Sequence, residues 1–227
     1  MLGTSVDGTE EGKTMLTFYH APWSRASGTL WLLEELGVDY ELKLVDIRME
    51  GGSPESYRRI QPNKKVPAIE HDGVIITERA AIAIYLAEAF PQAGLAPAIG
   101  DVDRGPYLTM TVYCDSVFDP CVAARAHGLS YASNDYSFGV FEDMVAYVDR
   151  ILSERPYAAG RRFTAADTQL ASAVHFTMNI LKVLPERPSF TRYLERIAQR
   201  PAYQRAQAKD MKMARQVPAF ASRFKKA

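Results

Sequence analysis

The segment Lys65-Val66-Pro67-Ala68-Ile69, followed by Thr77-Glu78-Arg79-Ala80-Ala81-Ile82, leaves this chain few ways to fold. Val66-Pro67-Ala68 is too apolar for a loop tip. Asp72-Gly73 is a strong tight-turn signal between the strand-like runs Pro67–His71 and Val74–Ile76. Proline cannot donate to a ladder, so Pro67 belongs at a strand entry, and an X-Pro bond is the one place where a cis peptide is cheap. The Val66–Pro67 bond is therefore expected to be cis. Val66 then keeps its N–H and C=O for pairing with an extended peptide. Glu78, at the start of the next helix, would set a carboxylate nearby that can hold an ammonium group. Together these parts describe a receptor for a small zwitterionic peptide.

Around this segment the chain reads as two halves. Leu16–His20 is a short apolar strand. Ser24–Leu36 carries apolar residues at helical spacing (Leu30, Leu33, Leu36) and stops at Gly37, a fitting C-cap. Asp39–Val45 alternates like a strand, Glu55–Ile60 is a short helix or turn, and a helix runs from Glu78 to Phe90. The order β-α-β-α-β-β-α predicts an α/β unit over residues 15–90. Residues 91–100 read as a linker. Residues 101–227 show no convincing strand. Helical patterns cover 103–130, 138–154, 164–182, 188–199 and 201–209, which predicts an all-α bundle. The polar, glycine-containing residues 1–14 are expected to form a disordered extension, and the state of residues 210–227 is open.

Composition removes several classes of function. Lysine plus arginine (27) equals aspartate plus glutamate (27), so nothing in the charge points to nucleic acid or an anionic membrane. No apolar run approaches the ~20 residues that span a bilayer, and the start lacks the apolar core of a secretory signal. The only cysteines, Cys114 and Cys121, fall on one predicted helix about 10 Å apart along its axis, too far for a disulfide. These features predict a cytoplasmic, reduced protein. The four histidines show no metal-ligand spacing, so no metal is expected.

The α/β half, with Val-Pro in this place and an all-α half after it, resembles the cytosolic glutathione S-transferase family: a thioredoxin-like N-terminal domain and an all-α C-terminal helical bundle. Five motifs carry the resemblance, in the family's order. They are Tyr19-His20-Ala21-Pro22-Trp23-Ser24-Arg25 leading into Leu30–Glu41, Gln61-Pro62-Asn63-Lys64-Lys65-Val66-Pro67-Ala68, Ile76-Thr77-Glu78-Arg79-Ala80-Ala81-Ile82, Phe163-Thr164-Ala165-Ala166-Asp167, and Tyr193-Leu194-Glu195-Arg196 with Arg200-Pro201-Ala202-Tyr203. They span Leu16 to Lys209. The resemblance implies a bacterial-type transferase with a serine-type site, glutathione as co-substrate, a hydrophobic electrophile as the other substrate, and a homodimer. A non-catalytic glutathione-binding or scaffold protein, or a glutathione-dependent isomerase or dehalogenase, would share the same site.

Ser24 lies where the first strand hands over to the first helix. A helix N-terminus favours an anion, and the reactive form of a thiol is its thiolate. Ser24 is thus the candidate catalytic residue, donating to the sulfur of glutathione. A plain N-cap is the alternative, and Trp23, Arg25 and Ser27 are rivals in register. Tyr19 would be the activating hydroxyl in a tyrosine-type relative. The absence of cysteine from this half argues against thiol–disulfide exchange. Lys65, Val66, Pro67, Glu78 and Arg79 are the candidate glutathione-binding residues: Val66 for the cysteinyl backbone, Lys65 for the glycyl carboxylate, Glu78 for the γ-glutamyl ammonium. Arg79 stands where the family usually has a serine for the γ-glutamyl carboxylate. It either replaces that contact or points away to pair with Glu78 or a partner subunit. Lys64 stands where a glycine or small residue is common. Trp23, Tyr107, Met110, Tyr113 and Cys114 are expected to contribute to the hydrophobic substrate pocket, on a stripe that serves equally well as core. Asp167 is expected to be buried and to form a capping box with Thr164.

Overall fold

The structure is a computed structural model that describes residues 15–224. The expected disordered extension, residues 1–14, lies outside the described residues. The alternating apolar segments of the first half become four strands, β1 (Leu16–His20), β2 (Glu41–Leu44), β3 (Ala68–His71) and β4 (Val74–Thr77), and two helices, α1 (Ser27–Leu36) and α2 (Arg79–Ala89). The sheet order is β2-β1-β3-β4. β1 pairs parallel with β2 and antiparallel with β3, and β3 and β4 form the hairpin expected from Asp72-Gly73. Side chains alternate across a strand. Leu16, Phe18 and Ile69 therefore join α1, α2 and the helical half in the main core, while Tyr19 and Ala68 face the opposite way and pack on Tyr57. This thioredoxin-like sheet is followed by helices α3 (Arg104–Tyr113), α4 (Asp119–Ala126), α5 (Phe141–Glu154), α6 (Ala165–His175), α7 (Pro188–Ala198), α8 (Pro201–Ala214) and a short α9 (Ala221–Phe224).

Two differences from the sequence pattern have local causes. Helix α1 begins at Ser27 rather than Ser24, because Pro22–Ala26 form a turn in which Trp23 has a left-handed φ of 53°. The single helix expected over 103–130 contains a π turn at Cys114–Phe118. Pro120, in the first turn of α4, has no N–H to give, and the widened turn lets Asp119 N–H reach Cys114 O instead. A second π turn, Phe176–Ile180, follows α6. Both cysteines are free and buried, and burial pushes the Cys114 thiol up to about 12.

Helix α1 joins the two halves. Eight of its ten residues are buried, so it is not an ordinary amphipathic surface helix. Gly28 allows its close approach to α6, since a Cβ there would lie 3.0 Å from Thr168 O and from Ser172 Oγ. Trp31 donates to Glu35 and packs edge-on to Tyr203, and Arg200 holds Glu35 with two hydrogen bonds of 2.6 and 2.7 Å. Glu34 is tied to Arg205 and Lys209 of α8. Burial works against its ionisation, but these cations outweigh it and hold the Glu34 carboxyl below the usual range.

Thr164 and Asp167 form the expected capping box at the start of α6. The Asp167 carboxylate accepts from Ala158 N–H (2.7 Å), Thr164 N–H (2.8 Å), Thr164 Oγ1 (3.2 Å) and Tyr193 OH (2.9 Å). Complete burial pushes its pKa up to about 6 against the pull of these donors. In Asp167→Asn one oxygen becomes an NH2 group facing donors, leaving buried groups unpaired at a cost of about 3 kcal/mol. The melting temperature should fall by roughly 6–12 °C, given about 2–4 °C per kcal/mol for a chain of this size. An unchanged thermal unfolding curve would contradict this role.

Candidate active site

Sheet register brings the sequence-predicted parts to one edge. Tyr19 is opposite Ala68, and Ala68 is opposite Thr77. The turn that follows β1, the Val66–Pro67 pair that precedes β3 and the Glu78–Arg79 pair that follows β4 therefore emerge side by side. The Val66–Pro67 peptide is cis, as expected. Val66 is half-buried and lies just outside the ladder, and Lys65 and Glu78 are exposed. Glu78 has φ 66°, an uncommon conformation for a residue with a Cβ. Strain of this kind is retained where the surroundings impose it. Lys64, also at φ 58°, explains why a glycine would suit that position. Its Nζ reaches Gly51 O (3.2 Å) and Glu55 (3.4 Å), and its carbonyl accepts from Ser53.

One buried side chain joins the two receptor walls. Gln61 accepts from Lys65 N–H (3.2 Å) through Oε1 and donates to Glu78 Oε1 (3.3 Å) through Nε2. The Gln61-Pro62-Asn63-Lys64-Lys65-Val66-Pro67 motif contained it, but no spacing rule gave it a role.

The turn between β1 and α1 carries Ser24. Its hydroxyl donates to Ala21 O (2.6 Å), and its oxygen accepts from Ala26 N–H (3.1 Å). Ser27 donates to Asp210 of α8 (2.6 Å). Tyr19 faces the opposite side of the sheet, donates to Glu70 (3.1 Å) and stacks near Tyr57. Burial and the Glu70 carboxylate push its pKa up. Tyr19 packs with Tyr57 and Ala68 on that face.

Arg79 turns into the protein. It is 8% exposed and pairs with Asp115 and Asp119, on the π turn and at the start of α4. This differs from the expected partners, Glu78 or another subunit. Asp115 also accepts Ala80 N–H (3.1 Å), so it caps the first turn of α2. Asp119 is shared with Arg25, the residue after Ser24, whose guanidinium also lies over the Phe176 ring at 5.7 Å. Burial opposes ionisation of Asp119, but Arg25 and Arg79 outweigh it and hold the carboxyl below its usual range. Burial and Arg25 pull the Arg79 pKa down. The alternating cluster Arg25, Asp119, Arg79, Asp115 thus connects the start of α2 to the turn before α1.

The expected hydrophobic pocket is corrected in part. Tyr107, Met110 and Cys114 are fully buried members of the main core. Tyr113 is half-buried and packs against Tyr147 with ring centroids 4.8 Å apart and the planes tilted by 44°. Trp23 stays at the turn, partly exposed, packed on Phe220 (4.6 Å) and Phe224 (5.3 Å) of the C-terminal segment. Arg48 lies over Phe220 (4.3 Å) and donates to Pro22 O (3.0 Å). A cavity of about 590 Å3 is bordered by α1, Val38–Leu42 and α8, and Ser24, Val66 and Glu78 do not line it. No group of histidine, cysteine, aspartate and glutamate fit to hold a metal occurs among the described residues.

Comparison with known proteins agrees with this architecture. Residues 14–88 match the family described as the glutathione S-transferase N-terminal domain, and residues 131–210 match a glutathione S-transferase C-terminal domain. Among curated relatives, glutathione S-transferase 3 of Schizosaccharomyces pombe is 27% identical over 209 residues, covering 83% of this chain and 85% of the relative. Glutathione S-transferase GstA of Escherichia coli O157:H7 is 26% identical over 204 residues, covering 84% and 96%. Among solved structures, a sphingomonad glutathione S-transferase complexed with glutathione superposes with a TM-score of 0.68 at 28% identity, covering 86% of this chain and 98% of that one. With both domains matched in order over most of the chain, and with the mixed sheet and its helical bundle in place, this chain belongs to the glutathione S-transferase family.

Proposed function

We propose that the chain is a glutathione transferase that binds glutathione along the shared sheet edge and activates its thiolate at the turn before α1, for attack on a hydrophobic electrophile. The carrying observation is the register that sets Ser24, Val66 and Glu78 at one edge, with Gln61 bridging two of the walls. Glu78 takes the γ-glutamyl ammonium, the Val66 backbone pairs with the cysteinyl unit, Pro67 shapes that edge and Lys65 meets the glycyl carboxylate. The Arg79 side chain is committed to Asp115 and Asp119, so the γ-glutamyl carboxylate is received by backbone at the start of α2 rather than by that guanidinium. Beside the sulfur, Trp23 and Phe176 offer apolar rings to the electrophile, while the Arg25 guanidinium is held by Asp119.

Ser24 serves as the hydrogen-bond donor to sulfur. Its oxygen is fixed by Ala26 N–H, while its proton is a rotor now directed at Ala21 O. Turning it toward sulfur gives up a neutral hydrogen bond worth about 1 kcal/mol and makes a charge-assisted one roughly twice as strong. Thiolate formation is the step this helps. A free thiol has a pKa of about 8.5, and each unit of lowering needs about 1.4 kcal/mol.

Retention on immobilised glutathione followed by turnover of an aryl halide tests the assignment. Binding with turnover is expected, and binding without turnover identifies the scaffold alternative. In Ser24→Ala, glutathione affinity should stay close to wild type, because the residues holding its ends are intact. The thiol pKa in the complex should rise by about half to one unit, and neutral-pH turnover should fall roughly three- to tenfold, with partial recovery at high pH. Thiolate absorbance against pH reads this directly, and superimposable curves remove Ser24 from the mechanism. The homodimer implied by the family would cover Val74, Ile75 and Val112, which are exposed. Tyr57 is buried against Tyr19 within the chain. Light scattering should give about twice 25.3 kDa, and a monomer at micromolar concentration would refute the dimer.

A further inference from the structure

The carboxylate of Asp210 is 3% exposed and lies against the turn that carries Ser24, although it comes from α8, 183 to 190 residues away in sequence. Oδ1 is 2.9 Å from His20 Nε2 at the end of β1. Oδ2 accepts the Ser27 hydroxyl at 2.6 Å, in the first residue of α1. Both oxygens receive Trp23 N–H, at 3.4 and 3.3 Å. One side chain therefore holds the strand end, the turn and the helix start together.

The turn needs holding. Trp23 has φ 53°, a left-handed conformation that a bulky aromatic residue keeps only when its surroundings impose it. Its N–H is fixed by Asp210 and its ring by Phe220 and Phe224. The next residue is Ser24. A relaxed Trp23 would carry the Ser24 hydroxyl and the neighbouring backbone out of line with the sulfur. Losing alignment matters more for a directed hydrogen bond than for the looser contacts that hold the tripeptide's ends.

We propose that Asp210 is a positioning residue for the transferase reaction, its carboxylate fixing the Pro22–Ala26 turn in the geometry that receives the glutathione sulfur. The proposal rests on the reading of that turn as the sulfur site. It assigns the helical half a part in thiolate formation beyond any lining of a substrate pocket.

Charge alone predicts the opposite sign, which makes the proposal testable. An unneutralised carboxylate beside the sulfur would disfavour the thiolate, so removing its charge would lower the thiol pKa. Loss of positioning raises it. The groups facing Asp210 are His20 from β1, the Trp23 N–H and Ser27 hydroxyl from the turn and α1, and Arg48 from the segment after β2, whose ionisation Asp210 supports. On α8 itself, the neighbouring Lys209 is turned to Glu34.

The experiment is the thiolate titration of the glutathione complex, with turnover and glutathione affinity, for wild type, Asp210→Asn and Asp210→Glu. Asparagine keeps the size but loses one acceptor, and glutamate keeps the charge but displaces it by one methylene. Both variants should bind glutathione within about twofold of wild type, show a thiol pKa raised by about one unit, and lose about tenfold in turnover at neutral pH. If Asp210→Asn fails to fold, Asp210→Glu decides alone, because a pure charge role leaves its titration unchanged. A lowered pKa in Asp210→Asn, or an unchanged titration in either folded variant, overturns the proposal. A wild-type complex whose thiol titrates near the free value of about 8.5 overturns the underlying sulfur-site reading as well, and so separates the two failures.

Discussion

Helix α1 is buried on almost every side, and the rest of the molecule is arranged around that fact. A ten-residue helix with eight buried residues needs partners all round. The sheet supplies Phe18 and Ile69, α6 approaches to within contact of Gly28, and α8 runs along it through Trp31–Tyr203 and the ion pairs of Glu34 and Glu35. With its sides occupied, the N-terminal end is where such a helix can meet a ligand. That end carries the positive pole of the dipole, with the Ala26, Ser27 and Thr29 N–H groups held by Ser24 Oγ, Ser24 O and Ala26 O. The packing that builds the fold thereby leaves an anion-favouring edge beside the cis Val66–Pro67 pair and Glu78.

Charges at that edge are mostly committed within the chain. Arg79 and Arg25 alternate with Asp115 and Asp119, so two guanidiniums that look available in the sequence are neutralised by the helical half. Removing one member would strand a partly buried partner, which costs more than the pair itself contributes. The cluster therefore fixes the approach of α2 to α4 and takes both guanidiniums out of the proposed glutathione contacts. Gln61 sets the remaining polar geometry by holding Glu78 and Lys65 N–H at once.

The strands, the hairpin and most helices were legible because their signals are local. Asp72-Gly73 marks its turn, Gly37 its C-cap, and Thr164 with Asp167 its capping box, each within four residues. The break in the helix predicted over 103–130 also had a local signal, Pro120, which the apolar periodicity masked. The stripe of Tyr107, Met110 and Cys114 could not be divided into pocket and core, since both need the same spacing, and the structure assigns all three to the core. Arg79 and Asp210 were opaque for a different reason. Their partners lie 36 to 40 and 183 to 190 residues away, and no residue pattern in a single sequence signals a meeting across two domains.

The proposed mechanism requires glutathione to be bound as its thiolate at the start of α1. Calorimetric titration of glutathione into the protein at pH 7, in two buffers of different ionisation enthalpy, counts the protons released on binding. A thiol pKa lowered from about 8.5 to about 6.5 in the complex corresponds to release of about 0.7 proton per site. A value near that supports the account. Binding with no net proton release would contradict it.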